Sequence, residues 1–189
     1  MPKFNVDVQP GDMAVMMPAP GDWVGTGISW FAGPYSHVTR VVSHDGMCID
    51  ANPPCVRQKH LTEYLADGRQ IVIRRWVDWR TVGEFEIKRR LDNFLNPLVD
   101  AEADYAERKI FRFALRLIVR WLPSNPSEGT TTPHVPAKWH CAELFCVTDD
   151  YCFHFDPVPE RAHKWTCPTD LAESKLYKTV TDKLVLMEA

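Results

Sequence analysis

No apolar run in this 189-residue chain approaches the roughly 18 residues that a membrane span needs; the nearest, Phe113 to Val119, is broken by Arg116. No integral membrane segment is therefore expected. A surplus of basic charge is missing too, since 22 Lys and Arg face 25 Asp and Glu for a formal net charge of -3. Binding to a phosphate backbone draws on clustered positive charge, so nucleic acid is not an expected partner. The opening residues, Met1-Pro2-Lys3-Phe4-Asn5-Val6-Asp7, lack a basic segment followed by roughly 7–15 apolar residues. Export by the general route is not expected, and the default location is the cytoplasm. The six cysteines (Cys48, Cys55, Cys141, Cys146, Cys152, Cys167) form no C-x-x-C pair and are too sparse for a disulfide scaffold, which reads as mostly reduced thiols. Internal repeats and low-complexity tracts are also missing.

What remains is an ordinary globular composition, with 45% hydrophobic and 25% charged residues. A chain of this length buries roughly 70% of the surface it would expose unfolded, so residues 1–189 read as one domain with a real core. The first third looks like short strands. Met13 to Met17 is an apolar run after the turn Pro10-Gly11-Asp12, and Asp22 is placed to cap a short helix through Phe31. His37 to Val42 and Met47 to Ala51 are β-rich runs joined by Ser43-His44-Asp45-Gly46, whose Asp-Gly pair suits a tight hairpin. Leu61 to Leu65 reads as a helical turn, Gln70 to Trp76 as a buried strand, and Val82 to Phe94 as an amphipathic helix.

Between Asp104 and Trp121, Ile110, Phe113, Ala114, Leu117, Ile118 and Trp121 recur at helical spacing and predict a core-packed helix. Its opposite side carries Arg108, Arg112, Arg116 and Arg120, read first as a solvated face and second as a contact for an anionic lipid surface. Residues 122–138, rich in Pro, Ser and Thr, read as a long surface loop. Helix is expected again at Cys141 to Thr148 and at Asp170 to Lys175, and one or two closing strands at Tyr177 to Met187.

Two residues occupy elements that would activate them. Cys141 opens a helix, where unpaired N–H groups and the positive end of the dipole favour thiolate over thiol. His37 opens a strand and would complete the Cys–His pair of acyl-transfer enzymes if the two meet in space. Hairpin arithmetic proposes what steadies the imidazole. Pairing Val42 with Met47 sets Asn52 opposite His37 and Asp50 opposite Thr39, both on the face that His37 uses. A carboxylate stabilises an imidazolium better than an amide, which makes Asp50 the first choice and Asn52 the reserve. Cys48, Cys55, Cys146 and Cys167 show no such placement and read as structural. A zinc site built from His140, Cys141, Cys146, Cys152 and His154 is the rival chemistry, but that spacing strings its ligands along a helix.

The order of these segments resembles a known family, the circularly permuted NlpC-type (YiiX-like) branch of the papain-like cysteine hydrolases. The resemblance runs from Gly11-Asp12 through the stretch Gly27 to Val38, with its Ser36-His37-Val38, to Ile49-Asp50-Ala51. It continues with Leu61-Thr62-Glu63-Tyr64-Leu65, Cys141-Ala142-Glu143-Leu144 and Pro168-Thr169-Asp170-Leu171. It implies a papain-like α+β fold in permuted order, an antiparallel sheet packed on helices, with Cys141 as nucleophile, His37 as base and Asp50 as orienting third member. It also implies Tyr105 as an oxyanion donor beside the Cys141 backbone N–H. No metal or other cofactor is implied. The implied substrate is a peptide amide of the bacterial cell wall. An acyl lipid, as for enzymes of the lecithin:retinol acyltransferase type, is the alternative, and a non-catalytic binding module the third possibility. A wall-directed enzyme with no export signal would be released by lysis, carried by a phage particle or injected by a secretion machine.

Overall fold

The computed structural model describes residues 3–105 and 139–187. The arginine ridge and the expected loop at 122–138 lie outside the described residues. A two-stranded ribbon pairs β1 (Lys3–Phe4) with β8 (Leu186–Met187). The main sheet is built from β2 (Met13–Met16), β3 (His37–Val41), β4 (Met47–Asn52), β5 (Cys55–His60), β6 (Ile71–Trp76) and β7 (Tyr177–Thr181). These six strands lie in the order β5-β4-β3-β2-β6-β7, and every neighbouring pair is antiparallel.

β2 sits near the middle with all four side chains buried, because Met13 and Val15 serve one face and Ala14 and Met16 the other. On the first face, α4 (Glu84–Asp100) and α5 (Cys141–Phe153) cover β3, β4 and the start of β5. The α4 stripe Ile87, Leu91, Phe94 and Leu95 packs there against Ile49, Ala51 and Val56. On the second face, α2 (Leu61–Ala66) buries Leu61 and Tyr64 against Val41, Cys48, Ile71 and Ile73. The described residues thus form a mixed α+β unit, an antiparallel sheet packed against helices. No helix among them is long and apolar enough to cross a membrane.

The β3–β4 hairpin adopts the arithmetic register: Arg40 pairs with Ile49, Val41 with Cys48, and the Val42 N–H donates to Met47 O at 2.8 Å. Gly46 supplies the positive φ of 94° in its turn, and a Cβ there would press 2.7 Å from the Phe4 ring. Helix α1 (Trp23–Ala32) starts at Asp22, whose side chain accepts from Gly25 N at 2.7 Å.

Three expectations change. The helix expected from Val82 divides at Gly83, whose φ is 83°, into α3 (Trp79–Val82) and α4, and α4 runs on to Asp100. β5 was not expected; only Val56 is fully buried in it, and an edge strand with one core residue shows no alternation to read. The helix expected between Asp104 and Trp121 has its apolar stripe, Ile110 to Trp121, outside the described residues; Asp104 and Tyr105, ahead of that stripe, form bridges to Cys55 and Trp139. Finally, α5 extends past Thr148 to Phe153, because Asp149 turns inward onto Arg40 and is no helix-ending polar residue. Helix α6 (Pro168–Glu173) follows, its Asp170 carboxylate accepting from Cys167 N at 2.9 Å.

Candidate active site

β3 presents alternate side chains to opposite faces. Val38 and Arg40 meet α5, whereas His37 and Thr39 share the other face with Asp50 of β4. Asp50 is two positions diagonal to His37 in that register, and the His37 Nε2–H donates to Asp50 Oδ2 at 2.5 Å. Both groups are buried, at 8% and 1% exposure, so this pair is largely shielded from water. Asp50, not Asn52, takes the ring nitrogen.

Cys141 is the first residue of α5 and His37 the first of β3, so the two meet at the end of the sheet, close enough for the charge of each to act on the other. With Nε2 on Asp50, the remaining Nδ1 is left for the sulfur. His140 caps α5: its Nδ1 accepts from Glu143 N at 3.3 Å and its Nε2–H donates to Lys164 O at 3.3 Å. That cap leaves the Cys141 N–H among the helix N-terminal donors with no intrahelical acceptor.

The electrostatics follow from this placement. Burial by itself would raise the Cys141 pKa, but the His37 charge beside it and hydrogen bonds with His140 and His37 bring it down to about 6. Burial by itself would lower the His37 pKa; the Cys141 and Asp50 charges overcome it and raise the imidazole to about 10. Both shifts favour thiolate and imidazolium over the neutral pair. Burial instead pushes the Cys48 and Cys146 thiols well up, and Cys152 and Cys167 to about 12, which keeps them as neutral space-filling thiols.

A direct check is alkylation by iodoacetamide across pH. In the unmodified protein, Cys141 labelling should switch on around pH 6, because the thiolate is lost only as pH falls through that value. In His37→Ala the onset should climb to roughly pH 8.5 or above, where an unassisted, half-buried thiol ionises. An onset that stays near 6 would show that the imidazole does not create the thiolate.

Tyr105 is the last described residue before Trp139. Its backbone N–H donates to Pro54 O at 3.0 Å, its backbone bridges Trp139, and its ring packs on the apolar cluster around Trp139. Two participants were not read from the sequence as part of the site. One is His140, considered only as a zinc ligand although it directly precedes a helix start. The other is Tyr64, whose hydroxyl donates to Asp50 Oδ2. The signal for Tyr64 was its i+3 spacing from Leu61, which turns a phenol into the core where it must find a partner.

No protein-family model matches the chain, and no curated protein matches it. Among solved structures, the crystal structure of the metalloprotein yiiX from Escherichia coli O157:H7 (DUF1105) is similar, with a TM-score of 0.51 and 14% sequence identity. The likeness covers 93% of this chain and 98% of that chain. The fold is therefore YiiX-like.

Proposed function

We propose that the protein is a cysteine hydrolase acting through an acyl-enzyme, with a cell-wall peptide amide as substrate. The observation that carries this reading is a buried imidazole held by a carboxylate on one nitrogen, at the end of the sheet where a helix begins with Cys141. The Cys141 thiolate attacks the carbonyl carbon, and the electron pair displaced from the C=O forms an oxyanion. The Cys141 backbone N–H is a donor for it, and Tyr105 is the second donor in this proposal. The His37 imidazolium gives its proton to the leaving amine as the C–N bond breaks and a thioester remains. Water then attacks the thioester, His37 takes up the proton, and the thiolate is released. Asp50 keeps the ring oriented and the imidazolium stable throughout.

In this reading residues 1–189 form one permuted NlpC-type domain, the histidine strand preceding the cysteine helix. The yiiX protein is a metalloprotein. Among the described residues here, no group of three or more His, Cys, Asp or Glu side chains is set to hold a metal ion. The candidates from His140 to His154 are spread over about 20 Å of helix. The described residues do not fit a metal centre. The test is incubation with purified wall fragments followed by mass spectrometry of products and protein. Cleaved peptide amides and a transient acyl adduct on Cys141 are expected, and neither should appear with Cys141→Ala.

One observation favours a second substrate, an acyl lipid. Helix α1 is turned inside out: Trp23, Val24 and Trp30 are 88%, 67% and 81% exposed, while Gly25 is buried. The exposed residues fall within about 120° of one uncharged face, a shape suited to lying in a lipid interface. If lipid is the substrate, the double replacement Trp23→Ser with Trp30→Ser should slow hydrolysis of vesicle phospholipid roughly tenfold or more. Turnover of a soluble ester should be unchanged, and equal turnover of vesicles would remove this reading.

A further inference from the structure

The reaction above draws on Cys141, His37 and Asp50, with Tyr105 as an oxyanion donor, and leaves unused a buried polar group, Tyr64, that touches both His37 and Asp50. Tyr64 is 1% exposed and its hydroxyl donates to Asp50 Oδ2, the same oxygen that accepts from His37. Its ring also leans on the imidazole, with centroids 5.8 Å apart. The other carboxylate oxygen, Asp50 Oδ1, is buried without a hydrogen-bond partner among the described residues, so Oδ2 bears both donors. We propose that Tyr64 is a positioning residue that anchors the Asp50 carboxylate and holds down the basicity of His37, an inference that rests on the cysteine-hydrolase reading of the site.

The physical reason is competition for one oxygen. The phenol stabilises the carboxylate most when the imidazole is neutral and the negative charge is bare, and less when an imidazolium already shares that charge. Tyr64 therefore makes release of the His37 proton easier, which a general acid needs. Without it, deprotonating the ring would strand a buried carboxylate with a single partner. Burial and the Asp50 charge push the Tyr64 pKa upward, which keeps the phenol a donor. The other groups facing this cluster are Cys141 with His140 from α5, Cys48 from β4, and Arg57 and Lys59 from β5. Lys59 lies over the Tyr64 ring at 4.2 Å and is paired with Asp67. All of them are retained when only the hydroxyl is removed.

The test is an NMR titration of 15N-histidine-labelled protein, with the His37 signal assigned by its loss in His37→Gln. Tyr64→Phe should raise the His37 midpoint by roughly half to one pH unit and lower kcat while leaving KM in place. Exchanging all five tyrosines for 3-fluorotyrosine makes the phenol a stronger donor and should lower the midpoint, an effect that should vanish in the Tyr64→Phe background. The fluorinated protein decides the matter if Tyr64→Phe fails to fold. A midpoint that stays or falls in Tyr64→Phe, or that ignores fluorination, overturns the proposal. A separate arm tests the underlying pair: Cys141→Ser removes the thiolate charge and should lower the His37 midpoint whatever Tyr64 does. No drop there would sink the Cys–His pair itself, so the two failures are distinguishable.

Discussion

Cys141→Ala is expected to remove hydrolysis altogether, a fall of at least roughly 10^4-fold in kcat with the thermal melt unchanged. The size follows from what the thiolate does. In the proposed reaction it forms the covalent bond that divides one hard displacement into two easier ones, and no neighbouring thiol can replace it because burial holds Cys48 and Cys146 in the neutral form. His37→Ala should fall comparably, since it removes both the group that ionises the sulfur and the acid that protonates the leaving amine. The double variant should then be no worse than either single one, because the two act as a unit. On the proposed reading, the pH profile of the unmodified protein should be a plateau: activity rises through about 6 as Cys141 loses its proton and declines through about 10 as the imidazolium loses its own. Persistent hydrolysis in Cys141→Ala, on the substrate the unmodified protein cleaves, would place the nucleophile elsewhere.

Asp149→Ala should destabilise the fold by about 3–5 kcal/mol in urea unfolding, a large part of the roughly 5–15 kcal/mol that holds a domain folded. Arg40 and Asp149 are 2% and 0% exposed and joined directly, tying the strand of His37 to the helix of Cys141. The guanidinium also donates to Gly11 O at 2.9 Å and Tyr177 Oη at 3.1 Å, and it lies 3.5 Å from the centroid of the Phe145 ring. The Tyr177 hydroxyl in turn donates to Asp149 Oδ2 at 2.7 Å. Removing the carboxylate strands a buried cation with neutral partners only, which is where the cost arises. Arg40→Met combined with Asp149→Leu should recover much of the loss, because it strands neither charge. A single variant that loses less than about 1 kcal/mol would mean that solvent reaches the pair.

The hairpin was readable because its determinants are local. Asp45-Gly46 sets the turn, the turn sets the register, and period-two alternation then puts Asp50 on the face of His37. The start of α5 was readable for a similar reason, though its end was not. Asp149-Asp150 looks like a polar stop until Arg40, 109 residues away, takes the carboxylate inside. β5 escaped notice because its membership in the sheet comes from backbone pairing with β4 and not from its own side chains. Tyr64 and His140 escaped as site residues because a phenol or an imidazole acquires its role from the partner it meets.

The sequence by itself determined which residues carry ionisable chemistry, which elements they open, and which strand faces they share. Those properties depend on neighbours a few positions along the chain, where periodicity and turn chemistry act. Only the tertiary structure decided that the sulfur meets the imidazole at the sheet end, that Asp50 and not Asn52 takes Nε2, and that Tyr64 shares the carboxylate. Hydrogen bonds of 2.5–3 Å and the pKa shifts that come with them depend on positions in space, and residues 37, 50, 64 and 141 are brought together by packing on both faces of one sheet.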